Sequence, residues 1–222
     1  MGAAIPPESE SESVCPIPVE VLSVQRIYQD LLDNREALLR ASASADHATA
    51  SAAMQGVIAP FELAAAWTAQ EKVAIWPRLM MASSANFRAS ASWKAHQQTL
   101  AEAMAAIAAV IAIWRDDPRL YGDVLAVLDE YEQTLINSLE FFAHVAYPLC
   151  KGVIADEDWL TMTARVLANI EPAQRLTAFG LLLATKSPEA RAVLIAAVDA
   201  SLRDAWESGG SAAFERQQAL LR

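Results

Sequence analysis

Four polar side chains fall on otherwise apolar helical stripes of this chain: Gln25, Glu71, His96 and Ser138. A carboxylate removed from water without a partner is costly, so Glu71 is expected to be protonated, hydrogen-bonded or paired. His96 is the candidate partner, and a Glu71/His96 pair beside a hydrophobic substrate would suit proton transfer. The plainer alternative is a core histidine satisfied by its neighbours. Ser138, His96 and Glu71 read as a triad would be three residues on three helix faces, which carries little specificity. No glycine-rich phosphate loop, nucleophile elbow or Cys/His metal spacing accompanies them.

The elements that must position these residues are helices. Glycine is scarce, at seven in 222 residues, Ala and Leu are abundant, and alternating β-branched runs are few, so the expected class is all-α. A first helix is expected from about Val19 to Arg40, and a second after Pro60 to about Met81, with Leu63, Trp67, Glu71 and Ala74 in line. The Ser/Ala-rich stretch from Ala41 to Ala53 reads as a loop or a weak helix start, and Ala82 to Ala89 as a break. Trp93, His96, Leu100, Met104, Ile107, Ile111 and Trp114 define the third helix. Asp117-Pro118 looks like a cap and first turn, after which Leu125, Leu128, Leu135, Ser138, Phe142, Val145 and Leu149 share a face. Short connections make these four an antiparallel bundle.

Three further helices are expected near Asp156 to Asn169, Pro172 to Thr185 and Pro188 to about Leu221, with Ser208-Gly209-Gly210 a possible interruption. The expected organisation is an acidic tail over 1–18, a bundle over 19–151 and a helical extension over 152–222 packed on it. Met80, Met81, Trp76, Trp159 and Trp206 read as core or helix-packing residues.

With 54% hydrophobic residues the chain can bury one substantial core. Its formal charge is −10, and residues 1–20 hold four glutamates and no Lys or Arg, which disfavours nucleic acid. The N-terminal stretch lacks the basic start and apolar run of a secretory signal. No membrane-spanning helix is expected, because polar groups interrupt the apolar segments, and the expected location is cytoplasmic. Cys15 and Cys150 are expected to be free thiols. Exposed apolar positions on the C-terminal helices make a homodimer conceivable.

Two segments match each other: Trp67 to Pro77, ending Trp76-Pro77, and Ser138 to Pro148, ending Tyr147-Pro148. In this feature the chain resembles the hemerythrin-like (HHE cation-binding) domain family, over about Val19 to Cys150. The resemblance implies an antiparallel four-helix bundle whose second and fourth helices each place His ten residues and Glu six residues before the Pro, as ligands to two irons. Here those positions hold Trp67 and Glu71, then Ser138 and Phe142. Ala95-His96 stands at the family's Glu-His, and Gln25 at its first-helix His.

A di-iron site needs about five to seven imidazole and carboxylate donors around one cavity. Glu71 and His96 alone do not supply them, although a shifted register would bring in His144 or Glu140. The expectation is therefore a bundle without a cofactor, with an aromatic centre in which Gln25, Trp67, Glu71, His96, Ser138 and Phe142 either fill the former site or line a pocket. Its partner would be a small apolar molecule or another protein. The alternatives are an enzyme using Glu71 and His96, and an iron- or haem-dependent sensor of oxygen, nitric oxide or redox state.

Overall fold

The computed structural model of the chain describes residues 19–82 and 84–221. The acidic stretch 1–18, Cys15 with it, and the side chain of Phe142 lie outside the described residues. Among those described, every regular element is helical.

Helix α1 spans Val19–Ser42. Helix α2 spans His47–Gln70, and its start is fixed by the Asp46 carboxylate, which accepts the backbone N–H groups of Ala48 and Thr49 at 3.4 and 3.1 Å. The helix expected after Pro60 thus begins more than three turns earlier. Pro60 lies inside it, buried, where it removes one backbone donor without ending the helix.

After Gln70 the helix widens into a π-helical turn, Glu71–Ile75, and then continues as α3, Trp76–Ala82. The Trp76 N–H reaches back to the carbonyl of Glu71. Pro77 explains the widening: it has no N–H for the Val73 carbonyl, and its ring would press on that carbonyl in a regular α-turn. Inward-facing residues consequently recur at a strict interval of four: Leu63, Trp67, Glu71, Ile75 and Leu79 are all buried. On an uninterrupted α-helix that interval would drift round the axis, and the π turn absorbs the drift. It also takes Met80 and Met81 out of the core position expected for them, to 46% and 88% exposure, with Leu79 turned inward instead.

Helix α4 spans Ser84–Asp116, resuming within the Ser/Ala stretch expected to be a break, which has neither Gly nor Pro to prevent it. Asp117 accepts the Arg119 N–H, Pro118 opens a single 3-10 turn, and α5 follows over Tyr121–Phe141. A second π turn, Phe142–Ala146, precedes Pro148, so the matched sequence segments become matched local structures. Gly152, with φ of 75°, turns the chain into α6, Asp156–Ala168. Then come α7 (Pro172–Ala184), α8 (Pro188–Ala197), α9 (Ala200–Ala205), a π turn over Trp206–Gly210, and α10 (Ser211–Leu220).

Helix α1 packs along α2 and α5, and α4 packs on α5, α3 and α2, so the four long helical stretches close a ring around one core. Arg35 of α1 ties to Asp129 and Glu132 of α5, each at 2.9 Å. The C-terminal helices continue that core: α6, α7 and α10 lie against α2, and α7 also meets α1. By length and composition alone the stretch Ser92–Asp116 is apolar enough to cross a membrane, contrary to the sequence expectation. One face of it, carrying Trp93, Gln97, Leu100, Ala103, Ile107, Ile111 and Trp114, is buried in the core.

Gly180 of α7 fixes how closely α10 approaches. A β-carbon there would stand 2.4 Å from Cδ2 and 2.5 Å from Cγ of Phe214, so the ring or the helix that carries it must shift to admit one. Gly180→Ala is therefore expected to lower the unfolding free energy by about 1–3 kcal/mol through overpacking. Urea denaturation followed by far-UV circular dichroism checks this; an unchanged midpoint would show that α10 is not held by this contact.

Candidate functional site

The first π turn carries Glu71 into the middle of the ring of helices, where its side chain has no exposure at all. Three neutral groups donate to the carboxylate. Tyr147 Oη lies 2.5 Å and Trp67 Nε1 3.1 Å from Oε1, while Gln97 Nε2 lies 2.5 Å from Oε2. Trp67 Nε1 is shared with Tyr147 Oη, also at 3.1 Å. Among the described residues Glu71 has no salt bridge, and the cation that acts on it is Lys72, exposed on the same turn.

Burial dominates the electrostatics. It pushes the Glu71 carboxyl up from its ordinary 4.5 to about 7, against the opposing pull of the hydrogen bonds from Tyr147, Trp67 and Gln97. Burial, and then the nearby Glu71 charge, push the Tyr147 phenol upward as well. The same two causes take the buried Cys150 thiol to about 12, so it is protonated and unreactive at neutral pH.

An aromatic shell encloses the carboxylate. Trp159 of α6 stacks on Trp67 with ring centroids 6.4 Å apart and meets Tyr147 edge-on at 5.8 Å. Trp93 of α4 meets Tyr147 at 6.4 Å and Trp76 at 5.9 Å. The C-terminal extension thus completes the surroundings of a residue on α2. Trp206, by contrast, packs with Phe179 and Phe214 at a distance from this centre.

The expected Glu71/His96 pair is not formed. Residues 96 and 97 both continue the stripe from Trp93 at helical spacing, three and four residues on, and Gln97 is the one turned to the centre. His96 sits on the flank of α4 and stacks on Phe141 of α5, ring centroids 4.5 Å apart. The two side chains are therefore not placed to pass a proton between them.

Beside the aromatic shell lies a cavity of about 40 Å³. Its walls include Gln25, Tyr28, Trp67, Met104, Ser138 and Tyr147. Of the anticipated site residues, Gln25, Trp67 and Ser138 therefore line one space, with Glu71 hydrogen-bonded to two of its walls. The Ser138 hydroxyl donates to the Thr134 carbonyl at 2.7 Å. Tyr28 Oη donates to Met104 Sδ at 3.3 Å. Met104 also borders a larger groove of about 180 Å³ between α2 and α4, lined by Ile58, Phe61, Ile111 and the Glu62–Arg115 ion pair.

The donor set does not suit a pair of irons. Trp67 and Ser138 stand where the hemerythrin-like pattern has imidazoles, Glu71 is already held by three donors, and His144 and Glu140 are exposed. Among the described residues no three His, Cys, Asp or Glu side chains gather in one place. Sequence reasoning missed Tyr147 and Gln97 as partners of Glu71. Tyr147 was legible as the aromatic before Pro148, but nothing in the periodicity distinguished residue 97 from 96. No family model matches the chain, and neither does any curated protein or solved structure.

Because the folded state holds the Glu71 proton more tightly than the unfolded chain, its contribution is present below about pH 4.5 and is lost as pH rises to about 7. The expected loss across that window is about 3 kcal/mol. Glu71→Gln mimics the protonated form once the Gln97 amide turns its oxygen inward, and is expected to abolish this component. Urea midpoints at pH 5 and pH 8 for both proteins check it; an identical pH response in the two would remove Glu71 as its source.

Proposed function

We propose that this chain is a divergent hemerythrin-like bundle whose centre receives a small, mainly apolar molecule rather than iron. The cavity beside Glu71 carries this reading: it lies among the four long helices, and three of the residues at former ligand positions (Gln25, Trp67 and Ser138) form its wall. Support for the family frame comes from the matched π turns ahead of Trp76-Pro77 and Tyr147-Pro148, which give the second and fourth long helices the same register relative to the centre.

A space of 40 Å³ holds about three water molecules or a ligand of a few heavy atoms. Met104 sets that limit. Its side chain is unbranched, borders both the cavity and the outer groove, and can swing to join them. A longer apolar molecule would then enter from the groove with its leading end beside Trp67 and Tyr147.

Binding is tested by NMR titration of the full chain with tert-butanol and with cyclohexanol. The expected result is saturable shift changes in the lining residues for the smaller molecule, and for the larger one only in Met104→Ala. Ser138→Val, which narrows the cavity and removes its hydroxyl, is expected to weaken tert-butanol binding at least about tenfold while leaving the fold intact. Shifts scattered over the surface, insensitive to Ser138→Val, would overturn the reading.

A further inference from the structure

We propose that the central cavity selects a small primary ammonium ion, with the Glu71 carboxylate behind the wall as its counter-charge and the Ser138 hydroxyl oxygen as its hydrogen-bond acceptor. This rests on the preceding reading of the cavity as a ligand site and adds the ligand's charge and polarity.

The first argument is charge. Among the described residues Glu71 is held by three neutral donors and by no cation, and the cavity lining contains no Lys, Arg or His. A positive charge entering the cavity therefore meets an uncompensated carboxylate across a single layer of side chains. In this water-poor surrounding the attraction is far less screened than at the surface.

The second argument is the chemistry of that layer. Trp67 and Tyr147 both line the cavity and both donate to Glu71. A donor bonded to an anion is polarised, its ring gaining electron density, which strengthens attraction for a cation. Tyr28 adds a third ring to the wall.

The third argument is hydrogen-bond polarity. Ser138 gives its only proton to the Thr134 carbonyl, and Tyr28 gives its proton to Met104 Sδ. Both hydroxyls are left with acceptor capacity, which an ammonium N–H can use and a carboxylate or carbonyl ligand cannot. The cavity size fits a head of this kind, and an alkyl chain would run past Met104 toward the groove.

Binding of this cation competes with protonation of Glu71. Among the described residues the titratable and charged groups around Glu71 are Lys72 on its own turn and Tyr147 and Cys150 beyond α5; α4 contributes the neutral Gln97, and α6 the Trp159 ring. Tyr147 and Cys150 stay protonated through neutral pH, so Glu71 alone sets the pH response.

The experiment is an NMR titration of the full chain with ethylammonium chloride, ethanol of matching size, and sodium chloride as the ionic-strength control. At pH 8 ethylammonium is expected to bind with saturable shifts in the lining residues, at least about tenfold more tightly than ethanol, and about tenfold more weakly at pH 6. Glu71→Gln is expected to erase the preference for the cation, so that ethylammonium binds no more tightly than ethanol at pH 8. The pH comparison on the unaltered protein tests the same coupling should that variant not fold. Equal binding of ethanol and ethylammonium would overturn the cation assignment while leaving the ligand site standing. Failure of both to shift the lining residues would overturn the two together.

Discussion

The centre of this protein is organised around one demand: a carboxylate with no exposure to water must be satisfied by neutral donors. Tyr147, Trp67 and Gln97 come from three of the four long helical stretches, and each is positioned by packing it cannot leave without stranding Glu71. The arrangement makes the centre a polar specification inside an aromatic core, since only one relative placement of α2, α4 and the end of α5 brings all three donors together. Trp159 extends the same requirement to α6 by stacking on the Trp67 ring and meeting the Tyr147 ring edge-on.

The all-helical class was legible because it depends on composition and period, and several punctuation marks held. Asp117-Pro118, Pro172 and Ser187-Pro188 stand at helix starts as expected, with the Ser187 hydroxyl accepting the Ala190 N–H. Pro60 misled because proline is read most naturally as a first-turn residue, whereas tertiary burial here carries the helix through it. Glu71 was legible as a buried carboxylate needing partners, but its partners were not. The difference between His96 and Gln97 is a rotation of about 100° on α4. Chemistry favoured the histidine on paper; packing of Trp93, Leu100 and Ile107 set the rotation and chose the glutamine. The π turn did leave a trace, in the strict interval of four from Leu63 to Leu79 ending near a proline.

The likeness to the hemerythrin-like pattern takes on a specific physical meaning in this light. A site that gathers carboxylates and imidazoles toward a metal needs a hole lined with donors whose lone pairs are unspent. Here three of the carboxylate's roughly four lone-pair sites accept from Trp67, Tyr147 and Gln97, and the remaining space is displaced toward α1, between Gln25, Tyr28 and Ser138. Any ligand of this cavity would be read through aromatic walls, with the charge one layer removed.

The two π turns also bear on how such a chain can vary. Each amounts to an α-helix lengthened by one residue without lengthening the fold, because the surplus is taken up as a bulge. Length changes of a single residue between Trp67 and Pro77, or between Ser138 and Pro148, can therefore be absorbed locally, by widening or closing the bulge, with the helix on either side left in register. Such an indel would leave the helix ends and loops where they are.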